Sequence, residues 1–211
     1  MSTPPTADQL HSFLRTRHSV RRFDPRAVPR PIIHRILTTG TRAPNAHNRQ
    51  PWRFAVLTSP QPKTRLAESM AADFRRDLLA DGLPPEEVEA QVQRSRARIT
   101  QAPLVIVLCL TLADMDNYPD TRRQRAEFLM AVQSLALAGG QMLLAAHAEG
   151  LGGVWVCAPL FAQQTVRQAL DLPADWQPQG MLLIGYPAAP PRVRQRKPIE
   201  EVTLFFDEIE D

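Results

Sequence analysis

The sequence predicts an α+β sandwich. Four short apolar runs have the composition of strands, and six or more further segments have the periodicity of helices. The two kinds of segment do not alternate strictly along the chain, which argues against a doubly wound parallel sheet. The 211 residues suit one substantial core, and no repeat or linker divides them, so we expect a single domain over residues 1–211.

The N-terminal quarter contains two short helices and a loop held by prolines. Thr6 and Gln9 have the spacing of a capping box and begin a first helix, which ends just before a basic segment. A second helix stops at Gly40 and leads into a polar loop between two prolines, residues 44–51, and then into a strand from Phe54 to Thr58. Such a loop can present side chains and amides to a ligand, although an ordinary helix-to-strand connection has the same composition.

Two more helices and a buried strand are predicted in the middle of the chain. A third helix opens at Ser59 and Pro60 and places apolar residues at intervals of four on one face. The segment from Pro84 to Gln101 is helical in composition but very polar, with acidic residues early and arginines late. We expect it to be a solvated, mobile helix rather than a binding patch. The run from Leu104 to Leu110 has the composition of a fully buried strand.

The C-terminal half is predicted to hold one long helix. This apolar helix, Phe128 to Ala148, is interrupted only by Gly139 and Gly140, which would let another helix approach closely, for instance across a subunit interface. Two strands and a shorter helix between them complete the core: Gly153 to Cys157, Gln163 to Leu170, and Met181 to Tyr186. The tail from Pro187 onward must pack somewhere.

Composition excludes several classes of protein. The net charge of +3 allows an anionic ligand but is too mild to indicate nucleic-acid binding, and only 6% of residues are aromatic, which disfavours a base-stacking surface. Residues 1–11 contain no apolar signal-peptide core and the apolar run at 104–110 is too short for a bilayer, so we expect a cytoplasmic protein without a membrane segment.

Cys109 and Cys157 lie in apolar runs and are expected to be buried, with no disulfide or metal site.

Two polar segments are the strongest candidates for a binding site. The first, at the end of the first helix, contains Arg17, His18, Ser19 and Arg21. Two arginines can form charge-assisted, bidentate hydrogen bonds to a phosphate, and a serine hydroxyl adds a donor. The alternative is that the arginines only solvate a helix end. The second segment is the loop between prolines, which reads Pro44, Asn45, Ala46, His47, Asn48, Arg49, Gln50, Pro51 and continues into Trp52.

Taken together, the two segments resemble the paired signature of the nitroreductase family, whose members are flavoenzymes. The family has an Arg-x-Ser-x-Arg run near the N-terminus and, further along, Pro-Ser-x-x-Asn-x-Gln-Pro-Trp. Both patterns occur here, and only the usual serine is replaced, by Asn45, which keeps a hydrogen-bonding side chain. The resemblance implies a mostly antiparallel sheet flanked by helices, and a homodimer in which a C-terminal extension embraces the partner subunit.

The resemblance also implies FMN as the cofactor and assigns residues to it. The N-terminal group, Arg17, His18, Ser19 and Arg21, would contact the phosphate, the ribityl chain and the pyrimidine edge. In the family, the loop that here contains Pro44, Asn45, Ala46 and Asn48 meets the flavin bound chiefly by the other subunit. His47, in the same loop, is placed where a substrate would lie over the flavin ring.

Further FMN contacts are implied later in the chain. Gly152 and Gly153 would let backbone amides approach the flavin N5 and O4 region, although a tight turn before a strand has the same glycines. Asp77 matches an acidic residue near the flavin, with a solvated helix position as the alternative. We assign Arg196 to the phosphate, while Arg194 and Lys197 remain alternatives.

No catalytic side chain is assigned, because hydride moves directly between nicotinamide, flavin N5 and acceptor, and the protein supplies orientation and electrostatics. His147 lies on an apolar helix and is expected to be a satisfied packing residue.

Within the family, the sequence is similar to the C-terminal reductase domain of the bifunctional γ-glutamyl ligase that builds the deazaflavin coenzyme of actinobacteria. The similar segments include Phe74 to Leu83 and Asp171 to Trp176. The ligase half has no counterpart here, which leaves the substrate open. We therefore expect an FMN-dependent oxidoreductase with ping-pong kinetics and NADH or NADPH as donor. A stand-alone reductase of a deazaflavin-coenzyme precursor and a non-catalytic FMN storage protein are the alternatives.

Overall fold

The computed structural model describes residues 4–190 and 193–206, which contain seven α-helices and a four-stranded sheet. In chain order the elements are α1 (Ala7–Thr16), α2 (Arg30–Gly40), β1 (Trp52–Leu57), α3 (Pro60–Ala80), α4 (Pro85–Gln101), β2 (Leu104–Leu110), α5 (Thr121–Ala148), β3 (Gly152–Val156), α6 (Ala158–Phe161), α7 (Gln163–Ala169) and β4 (Gln177–Gly185). The predicted α+β class is confirmed.

The sheet is antiparallel throughout and has the strand order β1-β2-β4-β3. Every residue of β2 is buried. Its even-numbered residues pack with α2 and α5, and its odd-numbered residues pack with α3 and α7, as expected from the alternation of side chains along a strand. The sheet is thus the middle layer of three, and the predicted run from Leu104 to Leu110 is confirmed as its fully buried strand.

Helix α5 is the central helix of one layer and begins seven residues before its predicted start at Phe128. The prediction followed apolar residues, whereas the helix is capped by Asp120, whose side chain accepts a hydrogen bond from the backbone N–H of Arg123. In the described part of the chain, α5 alone is long and apolar enough to cross a membrane. It lies against the sheet with Ala131 and Ala138 fully buried, as a core helix does.

Helix α4 is less solvated than its composition suggests. Val88 and Val92 are buried against Ala71 of α3 and form a small core of their own. The polar composition of α4 therefore reflects its outer face only, and the expectation of a solvated helix was wrong for the face that packs on α3.

Two local expectations about small residues need correction. Gly139 does not receive a neighbouring helix, since a Cβ there would lie 2.3 Å from the ring of Trp155, which already fills the space between α5 and the sheet. Gly140 has open space around it, so the approach of another helix at that residue stays a prediction. Cys157 is exposed, because it follows the end of the edge strand β3, and its Sγ accepts a hydrogen bond from Trp155 Nε1 at 3.2 Å. Cys109, by contrast, is buried as predicted.

The described part of the tail after Tyr186, residues 187–190 and 193–206, lies outside the core. Leu204 and Phe206 are 82% and 92% exposed, and a short 3-10 turn spans Ile199–Glu201. The predicted embrace of a partner subunit by this extension stays a prediction, and residues 191–192 and 207–211 of it lie outside the described residues.

Candidate functional site

The basic segment after α1 runs along the free edge of β3. Ser19 forms a parallel bridge with Gly153, and the backbone N–H of Val20 donates to the Gly153 carbonyl over 3.1 Å. Further along, the N–H of Asp24 donates to the Tyr186 carbonyl over 2.9 Å. These bonds fix the first predicted motif against the predicted glycine pair, although more than 130 residues separate them in the sequence.

Close approach of the segment to β3 requires a glycine at position 152. A Cβ there would lie 2.5 Å from Val20 Cγ2 and 2.6 Å from Val20 Cβ, well inside contact distance. The glycine therefore serves the packing of the two strands, in addition to any approach of a ligand to the backbone.

Three adjoining cavities lie along this segment, and we call them together the N-terminal trough. The first, of about 780 Å³, is lined by His18, Ser19, Val20, Arg21, Arg22, Ala189, Pro190, Arg194 and Arg196. The second, of about 210 Å³, includes Arg17, His18, His147, Gly152 and Gly153 in its lining. The third, of about 760 Å³, lies between Arg17, Pro44 and the outer face of α5.

The trough unites most of the predicted site. Seven assigned residues line its first two cavities: Arg17, His18, Ser19, Arg21, Gly152, Gly153 and Arg196. Pro44 lines the third cavity, together with Arg17. Asn45, Ala46, His47 and Asn48 lie next to Pro44 but do not line the trough of their own chain.

Asp77 is the assigned residue that the fold places elsewhere. It lies on α3, in the helical layer on the other side of the sheet from α5, and its exposed carboxylate pairs with Arg76 at 3.1 Å. One chain therefore does not bring Asp77 to the trough, and the solvated-helix alternative describes its surroundings.

The loop between prolines is held in an unusual backbone conformation. His47, Asn48 and Gln50 have φ values of 48°, 54° and 49°, a left-handed conformation that costs non-glycine residues free energy. The Asn45 side chain compensates by accepting a hydrogen bond from the Gln50 N–H at 2.8 Å. The Ala46 N–H donates to Ser134 Oγ on α5 at 3.2 Å. The loop is thus exposed but rigidly specified, and the asparagine that replaces the family's serine holds it.

His147 is a satisfied packing residue, as predicted, and it also links two helices. Its ring stacks on Phe13 with centroids 4.8 Å apart, and its Nε2 lies 3.0 Å from Thr16 Oγ1. The Thr16 hydroxyl donates its proton to the Phe13 carbonyl at 2.8 Å, so Nε2 must be the donor to Thr16. Burial, followed by the charge of Arg17, lowers the pKa of His147. A neutral imidazole therefore ties the end of α1 to α5 beside Arg17.

The electrostatics of the first cavity favour an anion. Four arginines line it, and no carboxylate does so among the described residues. Arg22 was not assigned from the sequence, because the family pattern fixes only Arg17 and Arg21. Arg194, named from the sequence as an alternative to Arg196 for the phosphate, lines the same cavity as Arg196. A volume of about 780 Å³ and a row of guanidinium donors fit a nucleotide phosphate with its attached chain.

Comparison with known proteins agrees with this geometry. The model of the nitroreductase family matches residues 14–186. The 5,6-dimethylbenzimidazole synthase of Rhodospirillum rubrum is 31% identical over 94% of this chain and 89% of its own, and an NADH dehydrogenase of Thermus thermophilus is 28% identical over 97% and 98%. A candidate nitroreductase from Desulfovibrio desulfuricans, solved in complex with FMN, superposes with a TM-score of 0.73 at 26% identity and covers 96% of this chain and 99% of its own. The chain therefore belongs to the nitroreductase family.

Proposed function

We propose that this protein is an FMN-dependent oxidoreductase that takes hydride from NADH or NADPH and delivers it to a small organic acceptor by a ping-pong mechanism. The observation that supports this most strongly is the N-terminal trough, in which the family's Arg-x-Ser-x-Arg segment lines cavities with Gly152, Gly153 and Arg196. The FMN bound to the similar Desulfovibrio protein supports the choice of cofactor, and the NADH dehydrogenase of Thermus supports the choice of donor.

Each part of the trough has a task in this proposal. The guanidinium groups of Arg17 and Arg196 would neutralise the phosphate, and the Ser19 hydroxyl would donate to it. Arg21, further along the same segment, would stabilise the negative charge of the reduced ring. The chemistry that FMN supplies when bound is uptake and release of hydride at N5. The chain itself orients the reactants and excludes water, and no side chain needs to transfer a proton.

We propose that the active unit is a homodimer of single-domain chains in the cytoplasm. Exposed apolar side chains on α5 and in the tail, such as Leu129, Leu137 and Phe206, would be covered by the partner, and the rigid loop with Asn45 and Asn48 would reach the partner's trough. Light scattering should give twice the mass of 23.7 kDa.

Mixing two variants of low activity tests the shared site directly. One chain would carry Arg17→Ala with Arg21→Ala, and the other Asn45→Ala with Asn48→Ala. Mixed dimers then contain one site with both an intact trough and an intact loop, so activity should return on mixing after brief unfolding and refolding. No recovery would show that trough and loop of one site come from the same chain.

Binding of FMN tests the assignment of the trough. The Arg17→Ala, Arg21→Ala variant should lose FMN affinity by about 100-fold, because two charge-assisted contacts to phosphate are removed. Affinity of the unaltered protein should fall with salt, since exposed charge pairs are screened. Arg122→Ala with Arg125→Ala, on the exposed start of α5, is the matched control and should bind FMN normally. Full flavin occupancy in the trough variant would refute the phosphate assignment.

Turnover distinguishes the proposed reductase from the alternatives. Anaerobic NADH or NADPH should bleach the yellow protein promptly, and parallel double-reciprocal plots should show the ping-pong order. A flavin that stays oxidised under both donors would favour a storage protein. The similar proteins are named for different reactions, so the acceptor of this protein must be found by screening. Rapid reoxidation by an unsaturated deazaflavin-coenzyme precursor, with slow reoxidation by nitroaromatics and quinones, would favour the alternative suggested by the ligase domain.

A further inference from the structure

A second basic cavity lies on the other side of the N-terminal segment from the trough. It has a volume of about 420 Å³ and is enclosed by Arg21, Arg22 and Phe23 on one side and by Arg94 and Arg98 of α4 on the other. Only Arg21 and Arg22 also line the trough, so these two residues form the wall between the cavities. We call this second cavity the arginine cleft.

The four guanidinium groups of the arginine cleft have no carboxylate partner. Within residues 4–190 and 193–206, no Asp or Glu oxygen lies within 4.0 Å of them, and no acidic residue lines the cleft. Other arginines of α4 and of its neighbour α3 do have acidic partners: Arg75 binds Glu89 at 2.8 Å, and Arg96 binds Glu68 at 3.2 Å. Glu68 and Glu89 are therefore paired with arginines outside the cleft.

Arg94 and Arg98 are exposed and place two like charges on the α4 side of the cleft. They are four residues apart and lie on one face of α4, where like charges repel each other. Arg21 and Arg22 add two positive charges from the opposite wall. An anion between the walls would reduce this repulsion, and planar guanidinium groups can form paired hydrogen bonds to the oxygens of a phosphate.

One phosphate does not account for both cavities. In the proposed function, the FMN phosphate lies in the trough with Arg17, Ser19 and Arg196, which leaves Arg94 and Arg98 without a role. We propose that the arginine cleft binds a phosphate group of a second substrate of the same reaction, with Arg94 and Arg98 as its recognition residues. This inference rests on the proposed function. The phosphate belongs either to the donor, as the 2′-phosphate that distinguishes NADPH from NADH, or to a phosphorylated acceptor.

The test uses the FMN-loaded protein and the variant Arg94→Gln with Arg98→Gln. Calorimetry with 2′,5′-ADP and with inorganic phosphate reports phosphate binding directly. The variant should bind both probes about tenfold or more weakly than the unaltered protein, because two charge-assisted contacts are lost. Arg122→Gln with Arg125→Gln is the control and should leave binding of the probes unchanged. FMN occupancy and melting temperature are measured on all proteins, and the single variant Arg98→Gln replaces the double one if the latter does not fold.

Steady-state kinetics separate the two sources of the phosphate. If the phosphate is the donor's, the double variant lowers kcat/KM for NADPH about tenfold or more and leaves that for NADH unchanged. If it is the acceptor's, the ratio of the two donors is unchanged, and inorganic phosphate competes with acceptor in the unaltered protein but not in the variant. Equal binding of both probes to the variant and the unaltered protein would overturn the proposal. Failure of the unaltered protein to bind FMN would instead overturn the proposed function.

Discussion

The contact between Val20 and Gly152 gives the sharpest test of how the N-terminal segment is held. In Gly152→Ala, the added methyl group would lie 2.5 Å, 2.6 Å and 2.9 Å from three carbons of Val20. Optimal carbon contacts are about 3.5–4.0 Å, so the segment must move away by roughly 1 Å. Val20 cannot rotate out of the way, because its own Cβ is one of the three carbons. The whole basic segment must therefore shift.

The cost follows from two local effects. Overpacking of this kind typically costs about 1–3 kcal/mol. A shift of roughly 1 Å would also stretch the hydrogen bond from Val20 N–H to the Gly153 carbonyl, now 3.1 Å, beyond useful length, which costs about another 1 kcal/mol. We expect the free energy of unfolding to fall by roughly 2–4 kcal/mol, and the melting temperature by about 5–15 °C for a chain of this size.

Thermal denaturation of the FMN-free protein measures this change, with Gly140→Ala as the control. Gly140 lies within helix α5 and lines the third cavity of the trough, but nothing lies within 4 Å of a Cβ there, so the same substitution should stabilise the fold by about 0.5–1 kcal/mol. It is a control for stability alone. In Gly152→Ala, the affinity for FMN should also fall about tenfold, since the displaced segment carries Arg17 and Ser19. An unchanged melting temperature together with an unchanged FMN affinity would refute the argument that Gly152 seats the segment.

Three further predictions concern single side chains. Thr165→Val should lower the free energy of unfolding by about 1.5–3 kcal/mol at pH 7, because the Thr165 hydroxyl donates to the Asp73 carboxylate between α7 and α3. That bond lowers the pKa of Asp73, so its contribution is lost as pH falls below about 4, and the difference between the two proteins should shrink in acid. Burial lowers the pKa of His147, so the folded protein takes up a proton less readily than the unfolded chain. Its stability should fall as pH drops below about 6.5, and His147→Gln should weaken this dependence. Asn45→Ala should free the Gln50 N–H and slow turnover about tenfold at nearly unchanged stability, because the loop is exposed.

A specific result would contradict each of these three predictions. A difference between Thr165→Val and the unaltered protein that is as large at pH 3 as at pH 7 would show that the lost stability does not come from the carboxylate. The same pH dependence of unfolding with and without His147 would assign the titration to another group. Normal turnover by Asn45→Ala would mean that the loop keeps its shape without the side-chain bond.

Predictions that depend on a few neighbouring residues were the accurate ones. The capping box of Thr6 and Gln9, the limits of β2 and the start of α3 were predicted and are confirmed, because each depends on neighbours along the chain. The family signature likewise indicated a flavin-binding oxidoreductase from two short segments. The errors came where a neighbour from another element decides the outcome, as with Cys157 beyond the strand edge and Gly139 under Trp155.

The sequence by itself determined the class of fold, the family and most of the residues assigned to the trough, since local periodicity and fixed spacing carry that information. Three arrangements could be seen only in the tertiary structure. Ser19 pairs with Gly153, the end of α1 contacts His147, and Arg22 and Arg98 line one cleft. The tertiary structure also left Asp77 on the far side of the sheet. The physical reason is that strand pairing and helix packing join residues far apart in the chain, and the shape and charge of a cavity follow from that pairing rather than from any local pattern.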